Sequence, residues 1–296
     1  MPAIQSKRSL VIEFTKMSGA GNDFIVIDNR FYHFSESELA RLSKRLCRRK
    51  LSIGADGLLA FADANADNVA YVMIYFNADG SRGSMCGNGA RCLGRFARLV
   101  GVGGEEMTFD SDVGHFRIVV PEDQSKDVRL YMPDFSDYRP NVDLPLDGDG
   151  GEVDADFIWT GTEHLVCWVK DVETFDVSSM GPRLRSHPAL GPAGANVNFS
   201  SLVGPGNAVQ GAPPNLKVRT YEKGVEAETL ACGTGALAVT LSAIKRGEIL
   251  NGPVSIEMPG GTLTVGFRGS VRNPQEFYLE GGADTIFRGT VEIESL

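Results

Sequence analysis

No run in this sequence approaches the roughly 18 consecutive apolar residues that a membrane-spanning helix needs. Residues 1–9 also lack the apolar centre of a secretory signal, so a cytoplasmic protein with no membrane partner is the expectation. Basic excess is missing as well. Against 38 Asp and Glu stand 29 Lys and Arg, a formal net charge of −9. A chain that tracks nucleic-acid phosphates needs at least one basic face, so nucleic acid is not an expected partner. The one basic cluster, Arg41, Lys44, Arg45, Arg48, Arg49 and Lys50, reads as the solvated side of a helix. Cysteine is scarce, with five residues at 47, 86, 92, 167 and 232. An odd count in a long chain does not make a secreted disulfide framework, which leaves reduced thiols.

What is present is enough apolar material, 42% of 296 residues, for two modest domains. The chain also repeats itself. Tyr75 precedes Cys86 by 11 residues, as Tyr221 precedes Cys232. Each cysteine opens a similar string, Cys86-Gly87-Asn88-Gly89-Ala90 and Cys232-Gly233-Thr234-Gly235-Ala236. Two further pairs occur in the same order. Gly21-Asn22-Asp23 corresponds to Gly161-Thr162-Glu163, and Gly54-Ala55-Asp56 to Gly194-Ala195-Asn196. Three matched pairs in order define a duplicated domain.

Strands are expected at 24–27 and 165–169, and hairpins at 107–120 and 254–267. After each cysteine the apolar residues recur at helical spacing, as in Leu93, Phe96, Ala97 and Val100, or Ala236, Val239, Ala243 and Ile244. The second of these helices should stop near Arg246-Gly247. Each half is therefore expected to be mixed α/β, a curved sheet of short strands around one apolar helix. Both cysteines fall where a glycine-rich turn enters that helix.

That position has chemical consequences. A helix start carries N–H groups without internal partners and a partial positive charge, and glycine lets an anion approach them. The same field stabilises a thiolate, drawing the cysteine down from about 8.5 towards the range of a usable general base. Two such helix starts, brought together by a pseudo-twofold duplication, would grip one carboxylate and flank its α-carbon with two thiols. One removes a proton while the other delivers one, and the carbon inverts. Charge building on the carboxylate is stabilised by the helix ends, so no cofactor is expected, pyridoxal phosphate included.

Other readings of these residues are weaker. Cys47, Cys92 and Cys167 lie in apolar stretches and read as small buried hydrophobes. The turns do not continue into G-x-G-x-x-G, and no Walker lysine follows them. Cys86 and Cys92 lack the spacing of a zinc knuckle, so no metal is expected. His164 is open between a core histidine and a site residue, and Glu222 between a surface pair with Lys223 and a site carboxylate.

The strings Ser18-Gly19-Ala20-Gly21-Asn22-Asp23-Phe24, Phe76-Asn77-Ala78-Asp79-Gly80 before Cys86-Gly87-Asn88-Gly89-Ala90-Arg91, and Arg219-Thr220-Tyr221-Glu222-Lys223-Gly224 before Cys232-Gly233-Thr234-Gly235 resemble the diaminopimelate epimerase family. The resemblance implies two pseudo-symmetric domains, each a barrel-like sheet around a central helix, with the active site in the cleft. It implies division into 1–133 and 134–275, the C-terminal strand, about 276–296, rejoining the first. It also implies a homodimer interconverting LL- and meso-diaminopimelate.

By the same resemblance Cys86 and Cys232 match the catalytic pair, with His164 and Glu222 in support. Asn22, Gly57, Asn77, Gly87, Asn88, Thr162, Asn196, Lys223, Gly233 and Thr234 match substrate-binding positions. The chain departs from the pattern at Thr162-Glu163, where the family often has Asn-Pro, and at Lys223, where it usually has Arg. Arginine grips a carboxylate with a planar fork and lysine as a point charge. A racemase of another amino acid, histidine for example, is therefore a second reading. A non-catalytic amino-acid-binding protein is a third.

Overall fold

The computed structural model describes residues 9–64, 66–146, 153–203 and 214–294. Residues 1–8 of the signal reading lie outside that range. Two compact units divide the chain. One takes the residues up to Leu130 together with those from Gly282 onward, and the other takes Tyr131–Gly281.

Unit 1 opens with β1 (Ser9–Gly19) and β2 (Asn22–Asp28), an antiparallel pair. The short α1 (Asn29–Tyr32) and α2 (Glu36–Leu46) then carry the chain to β3 (Gly57–Ala62), which lies parallel to β2. Next come β4 (Tyr71–Asn77), β5 (Arg82–Gly83), α3 (Gly87–Leu99), β6 (Glu106–Ser111), β7 (Gly114–Val119) and β8 (Val128–Tyr131), at whose end the division falls. Unit 2 comprises β9 (Ser136–Arg139), β10 (Ala155–Trp159), β11 (Glu163–Trp168), α4 (Val177–Arg185), β12 (Asn196–Leu202), β13 (Asn215–Glu222), β14 (Ala227–Thr229), α5 (Gly233–Arg246), β15 (Val254–Met258), β16 (Gly261–Ser270) and β17 (Asn273–Gly281). The last strand, β18 (Asp284–Glu294), pairs with β1 from Ser9↔Glu294 to Ser18↔Asp284.

The duplication holds strand by strand. In unit 1, β2 and β3 are parallel and so are β4 and β6; in unit 2 the same is true of β11 with β12 and β13 with β15. The helix α3 packs on β1, β2, β3, β4 and β7, and α5 packs on their equivalents β10, β11, β12, β13 and β16. Even the backbone angles repeat. Gly21 and Gly161 have φ of 93° and 99°, and Gly54 and Gly194 have 76° and 62°, a left-handed geometry that glycine adopts freely.

The central strands β2, β3 and β11 are buried on both faces, which explains why they read as continuous apolar runs. In unit 1, Ile25, Ile27, Leu58 and Ala60 join Leu39, Leu42 and Leu46 of α2 in one core cluster, closed by Ile293 of β18. Successive side chains point to opposite faces, which leaves Leu59 for α3, where a methyl on Gly89 would meet it at 3.1 Å. In unit 2, Leu165, Cys167, Val197, Phe199 and Tyr221 pack with Val177 and Leu184 of α4. Cys47, Cys92 and Cys167 are core residues, as their setting implied.

The helix α5 ends at Arg246, and Gly247 in left-handed conformation caps it. Its last turn is bound to a fully buried carboxylate. Asp156 of β10 accepts from Ser242 Oγ at 2.6 Å and from Arg246 Nε and Nη2 at 2.7 and 2.8 Å. It also accepts from the Asn141 backbone N–H at 3.0 Å.

Between the units' helices the strand β9 pairs antiparallel with β10. Near the C-terminus β17 pairs with β16, and the strand that runs along β1 starts at Asp284.

Candidate active site

In unit 1 two of the candidate site residues, Asn22 and Asn88, join where α3 begins. Cys86 is the N-cap, extended at φ −140° and ψ 117°, and its carbonyl accepts from Ala90 N at 2.8 Å. The N–H groups of the first turn have no acceptor within the helix. Asn88, buried in that turn, donates from Nδ2 to Asn22 Oδ1 at 2.7 Å. Asn22 in turn donates to Asp56 Oδ2 at 3.1 Å. Asp56 and Asp23 share Arg49, and Lys16 pairs with Asp23 at 2.7 Å, so a polar chain runs from the helix start to the edge of the sheet.

The neighbouring strand ends bring in the rest. Gly57 pairs with Phe24 on one side and Asn77 on the other. A side chain at 57 would strike the Tyr75 ring at 2.6 Å and the Phe76 carbonyl at 2.7 Å, so the Tyr75 ring needs glycine beneath it. The Tyr75 hydroxyl donates to Asn77 Oδ1 at 2.7 Å, and Asn77 Nδ2 donates to Ser81 Oγ at 3.0 Å.

In unit 2 the same construction surrounds α5. Cys232 is its N-cap at φ −133° and ψ 106°, 7% exposed, with Sγ 3.6 Å from Thr234 Oγ1. Gly233 opens the helix, and the carbonyl of Thr234 accepts from Thr160 Oγ1 at 3.0 Å. His164 pairs with Asn196 across the parallel strands β11 and β12. Asn196 Oδ1 holds the backbone N–H of Lys223 at 2.8 Å.

The electrostatics of this half are specific. Burial, helped by the charge of Lys223, pushes His164 down to about 3, so the imidazole is neutral at neutral pH. Asn198 Nδ2 faces the carbonyl of Leu165 at 3.2 Å, which can only accept, and lies 3.1 Å from His164 Nδ1. The acceptor lone pair is therefore on Nδ1 and the proton on Nε2. That Nε2 is buried and has no hydrogen-bond partner among the described residues. Burial pushes the Glu222 carboxyl above its ordinary value.

Of the two departures from the family pattern, each supplies half of an ion pair. Lys223 Nζ meets Glu163 Oε2 at 2.5 Å, and Thr162 Oγ1 donates to the same oxygen at 3.1 Å. Lysine thus pairs with Glu163, while Glu222 beside it is held apart and desolvated.

Each unit assembles its own matched residues: Asn22, Gly57, Asn77, Cys86, Gly87 and Asn88 in one, and Thr162, His164, Asn196, Glu222, Lys223, Cys232, Gly233 and Thr234 in the other. Asn198 and Thr160 escaped the sequence reading. The alternation Asn196-Val197-Asn198 on a strand places both asparagines on one face, a signal that was available. Asn198 also accounts for Gly235, since a methyl there would lie 2.3 Å from Asn198 Oδ1 and 3.2 Å from Cys232 Sγ. Gly235→Ala is therefore expected to displace the asparagine or the thiol. Turnover should fall at least ~10-fold with a stability loss of about 1–3 kcal/mol; unchanged steady-state kinetics would contradict this packing.

Residues 14–136 and 157–285 match the family model described as diaminopimelate epimerase. The diaminopimelate epimerase of Chlorobaculum tepidum is 37% identical over 282 residues, covering 94% of this chain and 100% of the relative. That of Aquifex aeolicus is 36% identical over 293 residues, covering 96% and 99%. Among solved structures, a phenazine biosynthesis protein of the PhzF family from Bacillus anthracis has a TM-score of 0.70 at 13% identity. It covers 95% of this chain and 99% of that one, a likeness of fold.

Proposed function

The chain belongs to the diaminopimelate epimerase family, and from that premise we propose that Cys86 and Cys232 are the acid and base of a cofactor-independent epimerisation. The enzyme is an isomerase that interconverts LL- and meso-diaminopimelate. The observation that carries the two-thiol reading is the equivalence of the cysteines. Both are N-caps of corresponding helices, in the same extended conformation, each followed by glycine.

The substrate carboxylate accepts from N–H groups of the two helix starts, at Gly87, Asn88, Gly233 and Thr234. A thiolate on one side takes the α-proton and becomes a thiol. The electron pair of the broken C–H bond moves into the carboxylate, where the helix ends stabilise it. The other thiol gives its proton to the opposite face and becomes a thiolate, completing the inversion. Neutral His164 assists as an Nε2–H donor, since it carries no charge to lend. Glu222, raised by burial, holds the substrate ammonium with Asn22, Gly57, Asn77 and Asn196 around it. The working assembly is a cytoplasmic homodimer, which sedimentation would register as a species of twice the chain mass.

A second reading, a racemase of a single-headed amino acid, is favoured by one observation. The Lys223 ammonium is already held by Glu163, which leaves less of its charge for a distal carboxylate. Solvent-deuterium incorporation at Cα, across LL-diaminopimelate and a panel of L-amino acids including histidine, separates the two. Exchange with diaminopimelate alone is expected. Preference for a single-headed amino acid would transfer the assignment to the racemase, and no exchange with any of them under reducing conditions would leave a binding protein.

A further inference from the structure

The two helix starts differ at one buried position. The first runs Gly87-Asn88-Gly89-Ala90-Arg91 and the second Gly233-Thr234-Gly235-Ala236-Leu237, so an arginine and a leucine occupy the same place five residues after the cysteine. Leu237 is buried in the ordinary way. Arg91 is wholly buried too, the largest side chain in the protein with no solvent contact among the described residues. Its guanidinium folds back towards the beginning of α3. Nη2 donates to Asn88 Oδ1 at 2.8 Å, while Nη1 and Nε reach the carbonyls of Gly87 and Gly282 at 3.5 Å.

All three acceptors are neutral, and among the described residues no carboxylate forms an ion pair with Arg91. A buried cation without a counter-ion is expensive to keep. The ionisable groups near it are few. On α3, Arg95 turns away to the carbonyls of Pro121 and Lys126. Burial pushes the Cys92 thiol up to about 12, so it stays neutral. Asp284 of β18 lies near Cys92 and Arg95, and Asp127 is exposed on the chain before β8.

The packed strands add nothing that substitutes. β3 carries no ionisable side chain. On β4, burial keeps the Tyr71 hydroxyl protonated, and the Tyr75 hydroxyl donates to Asn77. On β7, His115 and Arg117 bond Asp110 and Glu106. The Lys16, Asp23, Arg49 and Asp56 cluster of β1, β2 and the following loop communicates with Asn88 through the neutral amide of Asn22. Cys86 is the group left to balance Arg91, and the guanidinium already bonds the carbonyl of the residue beside it.

We infer that Arg91 is the counter-cation of Cys86, so that the two duplicated thiols rest in different states, Cys86 as thiolate and Cys232 as thiol. The helix field is common to both cysteines and does not distinguish them; the arginine does. This rests on the reading of the two thiols as the acid/base pair. The resting enzyme is then armed to abstract a proton at Cys86 and deliver one from Cys232. Each inversion from that state leaves Cys86 protonated and Cys232 ionised. Cys86 must then lose a proton to solvent, and Cys232 gain one, before the cycle repeats in the same direction.

Arg91 is a positioning residue, and alkylation reads its effect without reference to turnover. Iodoacetamide labelling of the full chain, followed at each cysteine by mass spectrometry across pH, gives a midpoint for each thiol. The midpoint, unlike the rate, is insensitive to the lower accessibility of Cys232. In the unaltered protein the Cys86 midpoint is expected at least ~1 pH unit below that of Cys232, a tenfold difference in ionisation. Arg91→Met should raise the Cys86 midpoint by about one unit or more and leave that of Cys232 in place, while Arg91→Lys should hold it near the original value. Coincident or reversed midpoints in the unaltered protein would overturn the inference, as would Arg91→Met without a shift at Cys86. If Arg91→Met does not fold, the comparison in the unaltered protein decides. Coincident midpoints with inactive cysteine variants would remove this inference alone; full activity in Cys86→Ser would remove the two-thiol reading itself.

Discussion

Cys86→Ser and Cys232→Ser are each expected to lower the epimerisation rate by about 10²–10⁴-fold or more, the size of a general acid or base contribution. A serine hydroxyl has nearly the shape of a thiol and is a far weaker acid, so at neutral pH it yields almost no base. The helix starts should not notice the change, because both positions are extended and any residue adopts that conformation. Thermal midpoints of both variants should therefore stay within a few degrees of the parent, as expected for changes of about 1 kcal/mol. Deuterium incorporation at Cα, with far-ultraviolet circular dichroism as the control, is the measurement. Full activity in either single variant would sink the two-thiol mechanism, because a one-base reaction needs only one of them.

A second large effect is expected in stability. Arg246→Met removes the cation from Asp156, a fully buried carboxylate that ties the last turn of α5 to β10 and to the Asn141 loop. Breaking one side of a buried pair costs about 3–5 kcal/mol, since the remaining charge is stranded. The double variant Arg246→Met with Asp156→Asn should recover part of that loss. The pH dependence has a definite sign. Hydrogen bonds from Arg246 and Ser242 hold Asp156 below the usual aspartate value in spite of its burial. Its contribution is thus complete above the unfolded value of about 3.9 and is lost as pH falls through the lower folded value. In Arg246→Met the stability deficit should be largest near neutral pH and narrow in acid. Denaturant titrations at several pH values test this, and a deficit that is small and flat in pH would contradict it.

The duplication, both central helices and the positions of the two cysteines were legible because each rests on a local pattern repeated in order. Helical spacing after a glycine turn marked α3 and α5, and the polar-to-apolar switch at Asn22 and Thr162 marked the beginning of β2 and β11. What could not be read were relations between residues far apart in sequence. Nothing local in Glu163 announces that it meets Lys223, 60 positions later. Asn198 gains its role only when β11 and β12 lie parallel and bring His164 and Leu165 beside it. Arg91 sat within a quoted motif, yet its depth appears only once β1 to β4 and β7 close around the helix.

The pairing of β1 with β18 bears on how the chain is made. Unit 2 is a single continuous stretch, Tyr131–Gly281, so every strand it contains is translated before the C-terminal strand. Unit 1 must wait for Ile293 and the ten-residue register along β1, although most of it was synthesised first. Domains usually mature from the N-terminus during synthesis, and here the first half cannot be closed until the last strand is made. Until its last strand arrives, the nascent first half presents β1 as an open sheet edge, the kind of surface that other chains can join. The first half of the polypeptide, although begun first, is thus finished only with the last residues.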